Sequence, residues 1–108
     1  MKTLRNLLLA FTLVALASCA APAPQADGAR VVGTGVFVSA AGETMRAVYR
    51  ADDTVTLTLP DGSTELLPIA VSGSGARYAA GNREWWEHQG EATYSVDGKP
   101  VFSGKLQR

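Results

Sequence analysis

The chain of 108 residues is poor in the groups from which active sites and metal centres are made, with one cysteine and one histidine. A single cysteine excludes an internal disulfide and a Cys-rich zinc site. An excess of either charge is also missing, since 10 Lys plus Arg face 10 Asp plus Glu. Without the first 18 residues, which hold Lys2 and Arg5, the balance is 8 against 10, a formal −2. That balance argues against nucleic acid as a partner, because such proteins carry a basic patch or stripe. A membrane-spanning run is absent too. The longest apolar stretch, Leu7 to Ala17, has 11 residues, where a span needs roughly 20.

That stretch is nonetheless informative. Lys2 and Arg5 precede it and Ser18 and Cys19 follow it, the order of a secretory signal covering residues 1–18. Its end, Leu16-Ala17-Ser18-Cys19, resembles the bacterial lipobox, in which the cysteine thiol receives a diacylglycerol and becomes the first residue of the mature protein. The resemblance makes Cys19 the lipidation site and the membrane a partner through that lipid. Ala20 stands where inner-membrane lipoproteins of this pattern often have Asp, which implies the outer membrane. An ordinary secretory cut near Ala17, with Cys19 as a stray thiol, is the alternative. Residues 19–30 then form a lipidated flexible tether, small, Pro-containing and without apolar periodicity.

From Val31 to Arg108 short apolar or alternating runs recur between turn residues, the spacing of an all-β sandwich or barrel. In Thr54 to Leu59 three threonines alternate with Val55, Leu57 and Leu59, so one face is buried and the other wet. Pro60-Asp61-Gly62 supplies the next turn and Asp97-Gly98 a later one. Met45, Ala47 and Tyr49 mark one inward row, and Ala92, Tyr94 and Val96 another. With Val31 to Val38, Thr64 to Val71, Ala76 to Ala80, Arg83 to Glu87 and Val101 to Leu106, the runs predict eight strands. The fold class is all-β, a small eight-stranded antiparallel β-barrel filled by side chains.

Catalysis needs convergent titratable groups, and this chain scatters its carboxylates through turns. Glu84 and Glu87 lie at odd spacing on one strand, so they face opposite sides and cannot act as a glycosidase pair. Neither an enzyme, a cofactor nor a metal is expected. The unusual segment is Ser72 to Glu91, SGSGARYAAGNREWWEHQGE. Gly73 and Gly75 flank Ser74, which lets the backbone protrude or approach another surface closely. Trp85 and Trp86 are neighbours on a strand, so one ring belongs to the core and the other to the surface. An outward tryptophan beside such a loop suits a protein interface.

Ser74-Gly75-Ala76-Arg77-Tyr78, then Trp85-Trp86, Gly90 and Glu91-Ala92-Thr93, resemble the SGxxY and FWxKGxEA block of the membrane-bound lysozyme inhibitors of c-type lysozyme. The segments TVTLTLPDGS and DGKPVFSGKLQ resemble that family as well, so the likeness covers about Val36 to Gln107. It implies an eight-stranded barrel whose SGxxY loop enters the cleft of a c-type lysozyme, the expected protein partner. There the loop serine, Ser74 here, and a lysine fourteen positions later meet the two catalytic carboxylates. That lysine position is His88 in this chain. Gly75 belongs to the same loop, and Tyr78 matches the motif tyrosine that supports it.

Two departures stand out. His88 replaces the lysine, and Ser39 and Gly104 occupy the places of the family's bridging cysteines, both sharing parity with inward apolar neighbours. The resemblance therefore implies inhibition of lysozyme. A non-inhibitory envelope lipoprotein, a binding or structural module on the same barrel, stays open beside it.

Overall fold

The computed structural model describes residues 29–108; the expected signal, Cys19 and nearly all of the expected tether lie outside the described residues. The alternating runs become eight strands: β1 (Val31–Ser39), β2 (Thr44–Arg50), β3 (Thr54–Thr58), β4 (Thr64–Ala70), β5 (Ala76–Ala80), β6 (Arg83–His88), β7 (Glu91–Val96) and β8 (Lys99–Leu106). Each pairs antiparallel with the next, and β1 pairs with β8 to close the barrel. The expected fold class is the observed one.

Turn chemistry sets the register. Gln89-Gly90 and Asp97-Gly98 each place two successive residues at positive φ, the two-residue hairpin geometry whose twist matches that of the strands. Gly62, at φ 91°, closes the Pro60 turn, where its N–H donates to the Leu59 carbonyl at 2.8 Å. The last strand begins at Lys99, ahead of the Val101 start that periodicity predicts. Ser95 pairs with Pro100 and Tyr94 with Phe102, which leaves Val101 as a bulge. A bulge suits a proline that has no N–H to offer the ladder.

The inward rows meet in one core. Phe37, Met45, Ala47, Val55, Leu57, Leu67, Tyr78, Trp85, Ala92, Tyr94 and Phe102 are buried and pack together. Phe37 and Trp85 contact edge to face, centroids 5.2 Å apart at 78°, a geometry that adds to the energy of burial alone. Two glutamates share these inward rows. Glu65 accepts a hydrogen bond from the Tyr94 hydroxyl at 2.5 Å and pairs with Arg83, whose guanidinium also donates to Tyr94 at 3.0 Å. The barrel interior thus holds a charge only where its hydrogen bonds are supplied.

Alternating connections put the turns at Gly42, Gly62, Gly81 and Gly98 at one end of the barrel. The 71–75 loop, the Gln89-Gly90 turn and the start of β1 are at the other.

Ser39 and Gly104 are direct partners across the seam that closes the barrel. No side chain fits at Gly104, because a Cβ there would lie 2.8 Å from the Phe102 ring and 2.9 Å from the carbonyl carbon of Val38. The Phe102 ring covers the glycine and fills the space. Gly104→Ala should therefore lower the thermal midpoint by the equivalent of about 1–3 kcal/mol through overpacking. Combining it with Phe102→Leu should recover part of the loss, because the two sites couple. Thermal denaturation followed by circular dichroism checks both; additive losses would show that the ring does not occupy the glycine's space.

Candidate functional site

β6 carries the site because its alternation divides two tryptophans between two environments. Trp85 points inward and is fully buried, and Trp86 points outward with 40% exposure. The same parity sends Glu87 in and Glu84 and His88 out, so Glu84 and Glu87 do face opposite sides. Glu84 pairs with Arg77 on the outer wall. Glu87 instead accepts a hydrogen bond from the Tyr49 hydroxyl at 3.0 Å.

The 71–75 loop is pinned from both sides. Arg77, already paired with Glu84, donates to the Val71 carbonyl at 2.9 Å. Trp86 donates its indole N–H to the Ser74 carbonyl at 2.9 Å. Inside the loop the Ser72 hydroxyl donates to the Ser74 carbonyl at 2.5 Å and accepts from the Ser74 N–H at 3.2 Å. Gly75 adopts φ 71°, and a Cβ on it would lie 2.6 Å from the Glu87 carbonyl oxygen and 3.0 Å from the His88 Cβ. Glycine is thus required twice, for the left-handed backbone and for the contact with β6. The Ser74 side chain is left exposed at the loop's crest.

Ser74 and His88 consequently line one groove of about 330 Å³ on the outer wall, with Glu84, Trp86, Glu91, Thr93 and Ser95. His88 is the last residue of β6 and pairs directly with Glu91 across the Gln89-Gly90 turn. Tyr78 lies elsewhere. It is 8% exposed, sits in the core, and tilts against the Tyr49 ring at 5.7 Å. Gly75 packs the loop onto β6, and Ser74 and His88 present their side chains outward. Among the described residues no three His, Cys, Asp or Glu side chains gather into a metal site.

The family model for the membrane-bound lysozyme inhibitors of c-type lysozyme matches residues 37–101. The chain belongs to this family. The family's members are inhibitors of an enzyme and not enzymes themselves. The chain is also similar to the solved structure of Pseudomonas aeruginosa MliC in complex with hen egg white lysozyme, with 28% identity and a TM-score of 0.53. That similarity covers 82% of this chain and 96% of the MliC chain. No curated protein matches the chain.

Motif reading did not reach Tyr49. Its hydroxyl accepts the Trp85 indole N–H at 3.1 Å and donates to Glu87, forming a three-member chain from the core to the end of β6. Burial raises the Tyr49 pKa well above its ordinary 10.0; the Trp85 hydrogen bond opposes this and the Glu87 carboxylate adds to it. Burial raises Tyr78 as well, with Asp53 and Glu87 contributing. Parity could have found Glu87, which shares the inward row of Trp85.

The raised values set a pH dependence. Above pH 10 an unfolded tyrosine loses its proton and the folded one keeps it, so the stability present below pH 10 declines as pH rises toward the folded value. One such tyrosine contributes at most about 1.4 kcal/mol per pH unit, less where water reaches the ring. Urea midpoints measured from pH 9 to 11 should fall more gently for Tyr49→Phe than for the wild type. Parallel slopes would mean that the Tyr49 hydroxyl is not buried against Glu87.

Proposed function

We propose that this protein is a lipid-anchored inhibitor of c-type lysozyme that inserts the Ser74 loop into the enzyme's active-site cleft. The observation that carries the reading is the convergence of Ser74 and His88 on one exposed groove, in a chain of the lysozyme-inhibitor family whose solved relative was crystallised with hen egg white lysozyme. A lysozyme cleft presents two carboxyl groups. A hydroxyl that donates and an imidazolium with two N–H donors are suitable partners for them. Gly75 supplies the close packing that holds Ser74 outward, and Tyr78 supports the loop from the core. The barrel opposes lysozyme by occupying its cleft.

Cys19 carries the lipid in this reading, and the tether joins it to the barrel at the envelope, on the outer membrane. The lipobox-like Leu16-Ala17-Ser18-Cys19 supports this, as does the description of the family as membrane-bound. Cys19→Ser should shift the protein from the detergent phase to a soluble or uncleaved form. Unchanged partitioning would remove the anchor from the account.

The binding site is tested by charge. Ser74→Glu sets a negative group against two carboxylates and should abolish inhibition of c-type lysozyme with the circular dichroism spectrum unchanged. Full inhibition by that variant would move the inhibitory site elsewhere on the barrel, and absence of inhibition by the wild type would leave a non-inhibitory envelope module as the better reading. His88→Lys supplies the second measurement. Imidazole is charged in mildly acid solution, and an ammonium is charged throughout. Contact with carboxylates favours the protonated imidazole, so binding by the wild type strengthens as pH falls and weakens as it rises. The lysine variant should flatten that dependence and inhibit better above neutral pH. Parallel pH curves on the same enzyme would place His88 outside the contact.

A further inference from the structure

Glu87 sits in the inward row of β6, between two alanines, Ala76 and Ala92, that pair with it on β5 and β7. Glu87 is half-buried, so its carboxylate gives up part of its hydration, and an apolar side chain of similar volume is often as stable in such a place or more so. Stability alone therefore does not account for a glutamate at this place. What its oxygen receives is directional: the Tyr49 hydroxyl at 3.0 Å, itself oriented by the Trp85 indole at 3.1 Å. Trp85 is held in turn by the Phe37 ring, and Tyr49 by the Tyr78 ring. The whole series begins at the fully buried Trp85.

The same residue meets the loop through its backbone. The loop rests on β6 at Gly75, which leaves no room for a side chain over the Glu87 carbonyl oxygen or the His88 Cβ. His88 follows directly. One residue thus connects the core, the loop bearing Ser74 and the strand end bearing His88. We propose that Glu87 and Tyr49 are positioning residues: their hydrogen bond fixes the end of β6 and so sets the spacing of Ser74 and His88 that the partner enzyme must match. This rests on the reading of Ser74 and His88 as the contact residues. A hydrogen bond of this kind acts on recognition because misplaced contact groups lose affinity even when the fold is intact.

The experiment compares Glu87→Gln, which keeps an acceptor for Tyr49, with Glu87→Met, which does not, and with the double variant Tyr49→Phe with Glu87→Met, which removes the hydroxyl and with it the acceptor of the Trp85 indole. Each is titrated against c-type lysozyme beside Ser74→Glu, and amide hydrogen exchange is followed at Gly73, Ser74, Gly75 and His88. Glu87→Gln should inhibit within about twofold of the wild type, and Glu87→Met and the double variant about tenfold more weakly. Glu87→Met, which leaves Tyr49 as the acceptor of the buried Trp85 indole, should keep a melting temperature closer to the wild type than the double variant, in which that indole loses its acceptor. Exchange in the loop and at His88 should be faster in both methionine variants than in Glu87→Gln. Wild-type inhibition by the methionine variants, with Ser74→Glu inactive, would overturn the positioning role and leave the contact site standing. If Ser74→Glu still inhibits, the contact reading itself fails, and equal exchange in all three variants would then overturn the positioning role as well. Loss of inhibition in Glu87→Gln equal to that in Glu87→Met would also overturn it, since the charge and not the hydrogen bond would then be what matters.

Discussion

The alternation of a single strand is the constraint on which the rest depends. In β6 the buried Trp85 and the inward Glu87 interleave with the outward Trp86 and His88, so whatever fixes the core side also fixes the surface side. Trp85 is fully buried and set edge to face against Phe37. Its indole N–H needs a partner, and Tyr49 supplies one. A one-residue slip of β6 would expose the indole and turn His88 inward. The core energy of the barrel is therefore also the energy that keeps the groove in register.

The loop borrows its order from that strand. Its own residues, two serines and two glycines between Val71 and Ala76, have little to pack. Its carbonyls at Val71 and Ser74 are instead taken by Arg77 on β5 and Trp86 on β6. Gly75 brings the backbone down onto β6 where any other residue would hold it away. A loop ordered before it meets its partner has less conformational entropy to lose on binding, which suits a segment proposed to enter a cleft. Glu65, Arg83 and Tyr94, which close the opposite end of the barrel, do not line the groove.

Much of this was legible in the sequence. TVTLTL alternates without interruption and its turn residues are unambiguous, so the strands and their inward rows could be read directly; the pair Trp85-Trp86 divided as its parity requires. The Val101 bulge was not legible, since it arises from how β7 and β8 pair and not from β8 itself. The links between Tyr49, Trp85 and Glu87 were hidden for the same reason, because they join residues 36 and 38 positions apart that only barrel closure brings together. Ser39 and Gly104 could be paired by resemblance, yet the Phe102 ring that fills the space at Gly104 depends on three-dimensional packing. The N-terminal residues carry the lipid anchor in the proposed function, and that reading stands on the lipobox-like segment and the family.

If the proposed function holds, the 71–75 loop and the end of β6 form one surface for lysozyme. An isotope-labelled barrel domain titrated with a c-type lysozyme, with amide resonances followed by NMR, should then show perturbations concentrated at Ser72 to Gly75, Trp86 to His88 and Glu91. Resonances at the far-end turns around Gly42, Gly62, Gly81 and Gly98 should stay unperturbed. Perturbations centred on those turns, or none anywhere at saturating enzyme, would rule that surface out.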